Sequence, residues 1–222
     1  MGSTRTPGGD PPKSLRRDAQ RNRDAVLAAA SDAFARHGLD VPLEQVARNA
    51  GVAIGTLYRH FPTRLDLIEA AFTAKLRAWI AAGERAAGAP DPWAGFREYL
   101  EAMCELQADD RGLSDLASMR LPLSDDVESQ LAQIYELGKT IMERAQEQGT
   151  VRADLRPQDY AFVFWSHSRV AAATQGVAPD TWRRSLALLL DAFRAEAAHP
   201  LPAPALTEPQ LRQAMRDLSS AG

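Results

Sequence analysis

Apolar residues recur at helical spacing along almost the whole chain after residue 13, and no segment alternates with period two for long enough to make a strand. Val26, Leu27, Ala30, Ala33 and Phe34 mark one face of a first helix over about 14–37, and Gly38 suits a left-handed stop after it. Leu43, Val46, Ala47 and Ala50 follow the i, i+3, i+4, i+7 pattern of a second helix over 42–49, with Pro42 in its first turn. A short third helix is expected over 53–60, broken by Pro62. Thr63-x-x-Asp66 has the form of a capping box that opens a long fourth helix. Its stripe runs through Leu65, Ile68, Phe72, Leu76 and Trp79 and fades between Gly83 and Gly88.

Further helices follow at the same period. Trp93, Phe96, Leu100, Met103 and Gln107 mark the fifth, Arg111-Gly112 is read as an interruption, and a short sixth runs from Leu113 to Met119. Ser124 can cap a seventh, with Val127, Leu131, Ile134, Gly138, Ile141 and Ala145 on one side. The eighth, from Pro157 to about Gln175, is unusually apolar, and the ninth covers about 180–197. The pattern divides the chain into a disordered Gly/Pro-rich arm over 1–13, a three-helix head over 14–62, a six-helix body over 63–197 and a mobile tail over 198–222 with a weak helical pattern.

Within the head, one spacing carries specific information. Ala47, Gly51 and Leu57 lie four and six apart, with Val46, Ala50 and Val52 apolar between them. Two short helices joined by a tight turn need a small residue where they cross and a glycine where φ turns positive. This is the form of a helix-turn-helix, whose second helix enters the major groove of DNA. The residues that follow suit such contact. Gly55 lets the backbone approach, and the Thr56 hydroxyl can donate to a phosphate or base edge. Tyr58 and His60 carry polar tips on rigid rings, and Arg59 reaches a guanine edge or a phosphate. Arg64, at the start of the fourth helix, adds its charge to a helix N-terminus, a ready phosphate clamp.

Charge changes the picture. The formal net charge is −3, unpromising for a nucleic-acid binder, yet residues 1–64 hold ten Lys/Arg against six Asp/Glu, and the remainder holds sixteen against twenty-three. The basic surface is thus confined to the part with the helix-turn-helix. The run Lys13, Arg16, Arg17, Arg21 and Arg23 has two readings: an arm on phosphate, or a solvated helix face diluted by Asp18 and Asp24.

The stretch VPLEQVARNAGVAIGTLYRHFPTRLDLIEAAF resembles the DNA-binding segment of the tetracycline-repressor (TetR/AcrR) family of transcriptional regulators. The resemblance covers about 20–75, and beyond it only the number and lengths of helices agree. It implies an all-α fold, with a helix-turn-helix DNA-binding head followed by a six-helix ligand-binding and dimerisation domain. It implies that Thr56, Tyr58, His60 and Arg64 hold the DNA backbone, and that Ile54, Gly55 and Arg59 help set sequence preference. Leu43 and Glu44 depart from the polar or basic residues common at the start of the second helix, and Glu44 repels phosphate. The partners implied are a palindromic double-stranded operator, a second copy of the chain, and a small, largely apolar effector that releases a repressor.

Outside the head, the aromatic and Met residues are candidates for an effector pocket or for ordinary core. Phe96, Tyr99, Met103, Met119, Trp165 and His167 are the ligand-binding candidates, with Tyr99 and His167 the polar groups of interest. The apolar eighth and ninth helices supply the dimer candidates Phe164, Ala171, Ala172, Trp182, Leu186, Leu189 and Phe193. No cofactor, metal site or enzymatic role is expected: the four histidines are scattered, Cys104 is the single cysteine, and no nucleophile elbow is present. The lone cysteine, the absence of an apolar leader and the absence of a long apolar run point to a cytoplasmic protein away from membranes. Two other classes stay open at this level: a helical ligand-binding or enzymatic protein that no longer regulates, and an architectural protein that coats DNA without sequence preference.

Overall fold

The computed structural model describes residues 13–108, 110–118 and 121–220, and the arm read over 1–13 lies outside them apart from Lys13. Helix α1 (Lys13–His37) ends where Gly38 takes φ 79°, a conformation that costs a glycine little. Helices α2 (Leu43–Asn49) and α3 (Ile54–His60) follow, joined through Gly51 at φ 68°. The Val52 amide donates to the Ala47 carbonyl at 3.0 Å and closes that turn. Val26, Ala30, Phe34, Val46, Ala47 and Leu57 are all buried, so the three helices share one small core.

Helix α4 (Arg64–Ala87) starts on the expected capping box, with the Thr63 hydroxyl and the Asp66 carboxylate serving each other's backbone amides. Its buried face differs from the stripe read in the sequence. Leu67 is fully buried and Leu65 only partly so, and the helix continues through Gly83. Gly83 is buried because a Cβ there would lie 3.0–3.2 Å from the Leu137 side chain. The stripe's fading therefore covers both a close helix crossing at Gly83 and the helix end at Ala87, before Gly88.

The body continues as α5 (Pro92–Ala108), α6 (Arg111–Ser118), α7 (Asp125–Glu147), α8 (Tyr160–Thr174) and α9 (Thr181–Ala192). Helix α4 packs along α5 and α7, and α8 pairs with α9. Tyr99 on α5 and Tyr160 on α8 both donate to α7, to the Ile134 carbonyl at 3.1 Å and the Gly138 carbonyl at 2.9 Å. These bonds fix three helices around one point, and burial holds both phenols well above their ordinary range. The described residues form no strand beyond a single antiparallel bridge between Val151 and Arg194. A tenth helix, α10 (Glu208–Ser220), lies in the segment read as a mobile tail.

Candidate nucleic-acid interface and internal cavity

Helix α3 puts Leu57 into the core and leaves its opposite side open. Ile54 and Tyr58 are 36% and 44% exposed, and Gly55 and Arg59 are exposed beside them. These four positions fall at i, i+1, i+4 and i+5, one face of a helix. Gly55 has nothing within contact distance of where a Cβ would stand, so the backbone there is open to a close neighbour. Thr56 and His60 are half-buried at the edges of the face, and His60 Nε2 finds no partner within the chain. No side chain caps α3, and no acidic residue stands in its first turn.

Arg64 sits apart from this group. Its Nη1 donates to the carbonyls of Leu39 and Val41, each at 2.8 Å. The guanidinium thus ties the α1–α2 connection to the start of α4, while Asp66 already occupies the helix N-terminus.

A second tie comes from α6. Asp115 accepts from the Leu39 amide at 3.0 Å, and burial raises its carboxyl above the usual range although that amide pulls the other way. Gly112 lets α6 approach the head: a Cβ there would meet Phe34 atoms at 3.0 Å and Phe72 at 2.9 Å. Lys75 on α4 pairs with the buried Asp110, whose other oxygen accepts from the Leu113 amide at 2.9 Å. Helices α4 and α6 are therefore both fastened to the head.

The same two helices wall a cavity of about 500 Å³ in the body. Leu76 and Trp79 come from α4 and Leu113 and Leu116 from α6, with Leu131 and Ile134 of α7 across from them. Among the ligand-binding candidates, Tyr99 and Trp165 line this space. Phe96, Met103 and His167 are packed into the core away from it, and Met119 lies outside the described residues. His167 stands edge-on to the Trp182 ring at 5.1 Å, and burial lowers its pKa although the Cys104 backbone partly opposes this. Burial likewise pushes the Cys104 thiol up to about 12. The aliphatic cavity residues were missed in the sequence because leucines at helical spacing look the same whether they face a core or a void.

The dimer candidates also divide. Ala171, Trp182 and Leu186 are buried within the protomer, and Phe164 stacks edge-on against Trp79 at 5.8 Å and lines the cavity. Phe193 packs on Phe96 at 6.1 Å, and Leu189 is half-buried. Ala172 faces out, as do Phe162 at 49% exposure and Leu188 at 61%. No group of three or more His, Cys, Asp or Glu among the described residues could hold a metal ion, and no helix among them is long and apolar enough to cross a membrane.

A glycine-pivoted helix-turn-helix with an open recognition face, set on a hollow helical body, defines a DNA-binding regulator. The family model for bacterial regulatory proteins of the tetR family matches residues 26–71, and that for the C-terminal domain of SbtR-like transcriptional regulators matches 91–195. The HTH-type transcriptional regulator RutR of Escherichia coli (strain K12) is 26% identical over 159 residues, covering 69% of this chain and 74% of its own. The TetR transcriptional regulator SCO0520 from Streptomyces coelicolor is 31% identical, over 78% of this chain and 98% of that one, with a TM-score of 0.49. A tetR-family regulator from Shewanella sp. PV-4 shares the fold at a TM-score of 0.56 and 20% identity, over 78% of this chain and 98% of that one. The chain belongs to the TetR family of transcriptional regulators and is a DNA-binding regulator.

Proposed function

We propose that the protein is a dimeric cytoplasmic repressor, released from a palindromic operator when a small apolar molecule fills the body cavity. One observation carries this reading: the helices that wall the cavity, α4 and α6, are the ones bonded to the head through Arg64 and Asp115. A ligand that fits better with α4 or α6 displaced must shift the head with them. By linkage, the factor by which it weakens operator binding equals the factor by which operator weakens its own. The mostly apolar walls, aliphatic and aromatic, with the buried tyrosines already committed to backbone carbonyls, favour an uncharged and largely apolar molecule.

Ile54, Gly55, Thr56, Tyr58, Arg59 and His60 make the DNA contacts in this reading, and Arg64 positions the head instead of touching phosphate. The head spans 14–62 and the body 63–197, with Arg64 at their junction. One head reads only a few base pairs, so specificity requires two, with recognition helices about 34–36 Å apart or a larger helical multiple. The outward apolar positions of α8 and α9 support pairing there. Selection of bound duplexes from random oligonucleotides tests the reading, with an inverted repeat of fixed spacing expected. Recovery of unrelated sequences, or of a lone half-site, overturns it. Cavity ligands that bind without altering operator affinity break the proposed coupling.

A further inference from the structure

We propose that α10 is a hinged lid on the body cavity, so that the C-terminal segment sets how fast an effector enters and leaves; this rests on reading the cavity as the effector site. Helix α10 is built as a separate element. Thr207 and Gln210 cap it reciprocally: the Thr207 amide donates to Gln210 Oε1 at 2.9 Å, and the Gln210 amide donates to the Thr207 hydroxyl at 3.4 Å. Leu211, Ala214, Met215 and Leu218 fall at i, i+3, i+4 and i+7, while Gln213, Arg216 and Asp217 are exposed on the other side. Leu211 and Met215 line the cavity, together with Glu208 and Arg212, which pair with each other. The cavity persists beneath them, so the helix covers the space and does not fill it.

The cover is held lightly. Among the body helices α10 rests chiefly on α6, and Leu211 and Met215 stay only half-buried. A helix of 13 residues is marginal alone in water, so its folded state depends on its packing against the body. The connection behind it suits a hinge. Arg152, itself 8% exposed, donates to the His199 carbonyl at 2.7 Å and to Asp154 at 2.6 and 3.0 Å, fixing the chain there. Beyond that point Pro200, Pro202 and Pro204 make an exposed, semi-rigid strap that leads to α10. An anchored strap with a weakly seated amphipathic helix at its end can open locally without disturbing the body.

The test compares the full chain with one ending at Pro204. Leu131→Cys places a thiol on the cavity wall, and Cys104 is too buried to compete. N-ethylmaleimide should label that thiol roughly tenfold faster in the shortened chain, with an exposed Glu98→Cys control unchanged. Leu123→Cys, also on the cavity wall, gives the same readout should Leu131→Cys fail to fold. Equal labelling rates in the two chains overturn the lid. Stopped-flow binding of the neutral dye N-phenyl-1-naphthylamine then separates lid from site. Faster association and faster dissociation in the shortened chain support both. Accelerated labelling with no dye binding to either chain keeps the lid and removes the effector-site reading. Identical dye kinetics with unchanged labelling keeps the site and removes the lid.

Discussion

Arg59 stands exposed on the outer face of α3, whereas the Arg64 guanidinium turns inward to the Leu39 and Val41 carbonyls. The two arginines should therefore fail differently. Arg59→Ala should cost about 1–3 kcal/mol of operator binding and relax preference at one base pair if it reads guanine, measured by competition with operator variants. Arg64→Ala removes two charge-assisted bonds and should destabilise the fold by about 1.5–3 kcal/mol. It should weaken all DNA sequences alike while leaving the slope of log K against log salt unchanged, because no phosphate contact is lost. A slope reduced by about one returns Arg64 to the DNA backbone. Spacing made Gly51, Leu57 and the exposed face of α3 legible in the sequence, since each follows from turn geometry or helical period. It could not tell which way a long side chain folds back, and the Arg64 guanidinium turns to the Leu39 and Val41 carbonyls. Burial similarly decided His167, which looked like a pocket residue and is packed against Trp182. Burial makes its imidazole harder to protonate in the folded chain, so the unfolded chain binds the proton first as pH falls through the ordinary value of about 6.5. Stability should be full above that pH and decline on acidification, levelling off below the lowered folded-state value. Urea midpoints between pH 7.5 and 5 should show this decline, and His167→Gln should flatten it.

Helix α6 shows where element boundaries escaped the sequence. Arg111-Gly112 looked like an interruption because glycine weakens helices, yet α6 opens on these two residues and the break lies between Ala108 and Arg111. The position needs a missing side chain: the Phe34 backbone oxygen lies 3.0 Å from where a Cβ would stand, and a backbone atom cannot step aside. Gly112→Ala should therefore destabilise by about 1–3 kcal/mol through overpacking, despite a gain in helix propensity of about 1 kcal/mol. Thermal unfolding checks the sign, and a stabilised variant would mean that α6 and α1 are not in contact. Gly83 in α4 makes the same point, since glycine read as punctuation serves instead as a crossing. The helices of the head, by contrast, were legible almost to the residue, because helical period and the glycine turn at Gly51 set them locally. The tail was not: four prolines, one of them Pro209 at the start of α10, masked a capped helix whose apolar face acquires meaning only beside the cavity it covers.

If two heads read the operator, as proposed, some surface must hold them at a fixed spacing, and the choice of that surface separates residues that were grouped together by apolarity alone. Trp182 and Leu186 are 4% and 3% exposed in the single chain and cannot also meet a partner without unfolding it. Leu188, 61% exposed on α9, and Phe162, 49% exposed on α8, are large apolar groups left substantially open in the protomer. Pairing of α8 and α9 across a two-fold axis would bury both. Leu188→Glu should then yield a folded monomer whose thermal midpoint in dilute solution is close to that of dissociated wild type. Losing one head removes about half the phosphate contacts, so the salt slope on the palindromic site should fall to about half. Trp182→Ala should behave in the opposite sense, losing about 3–5 kcal/mol of fold stability from the cavity it leaves. Sedimentation velocity separates the cases. A Leu188→Glu protein that stays dimeric, with an unchanged salt slope, would move the interface off this face of α9 and place the two heads by some other surface.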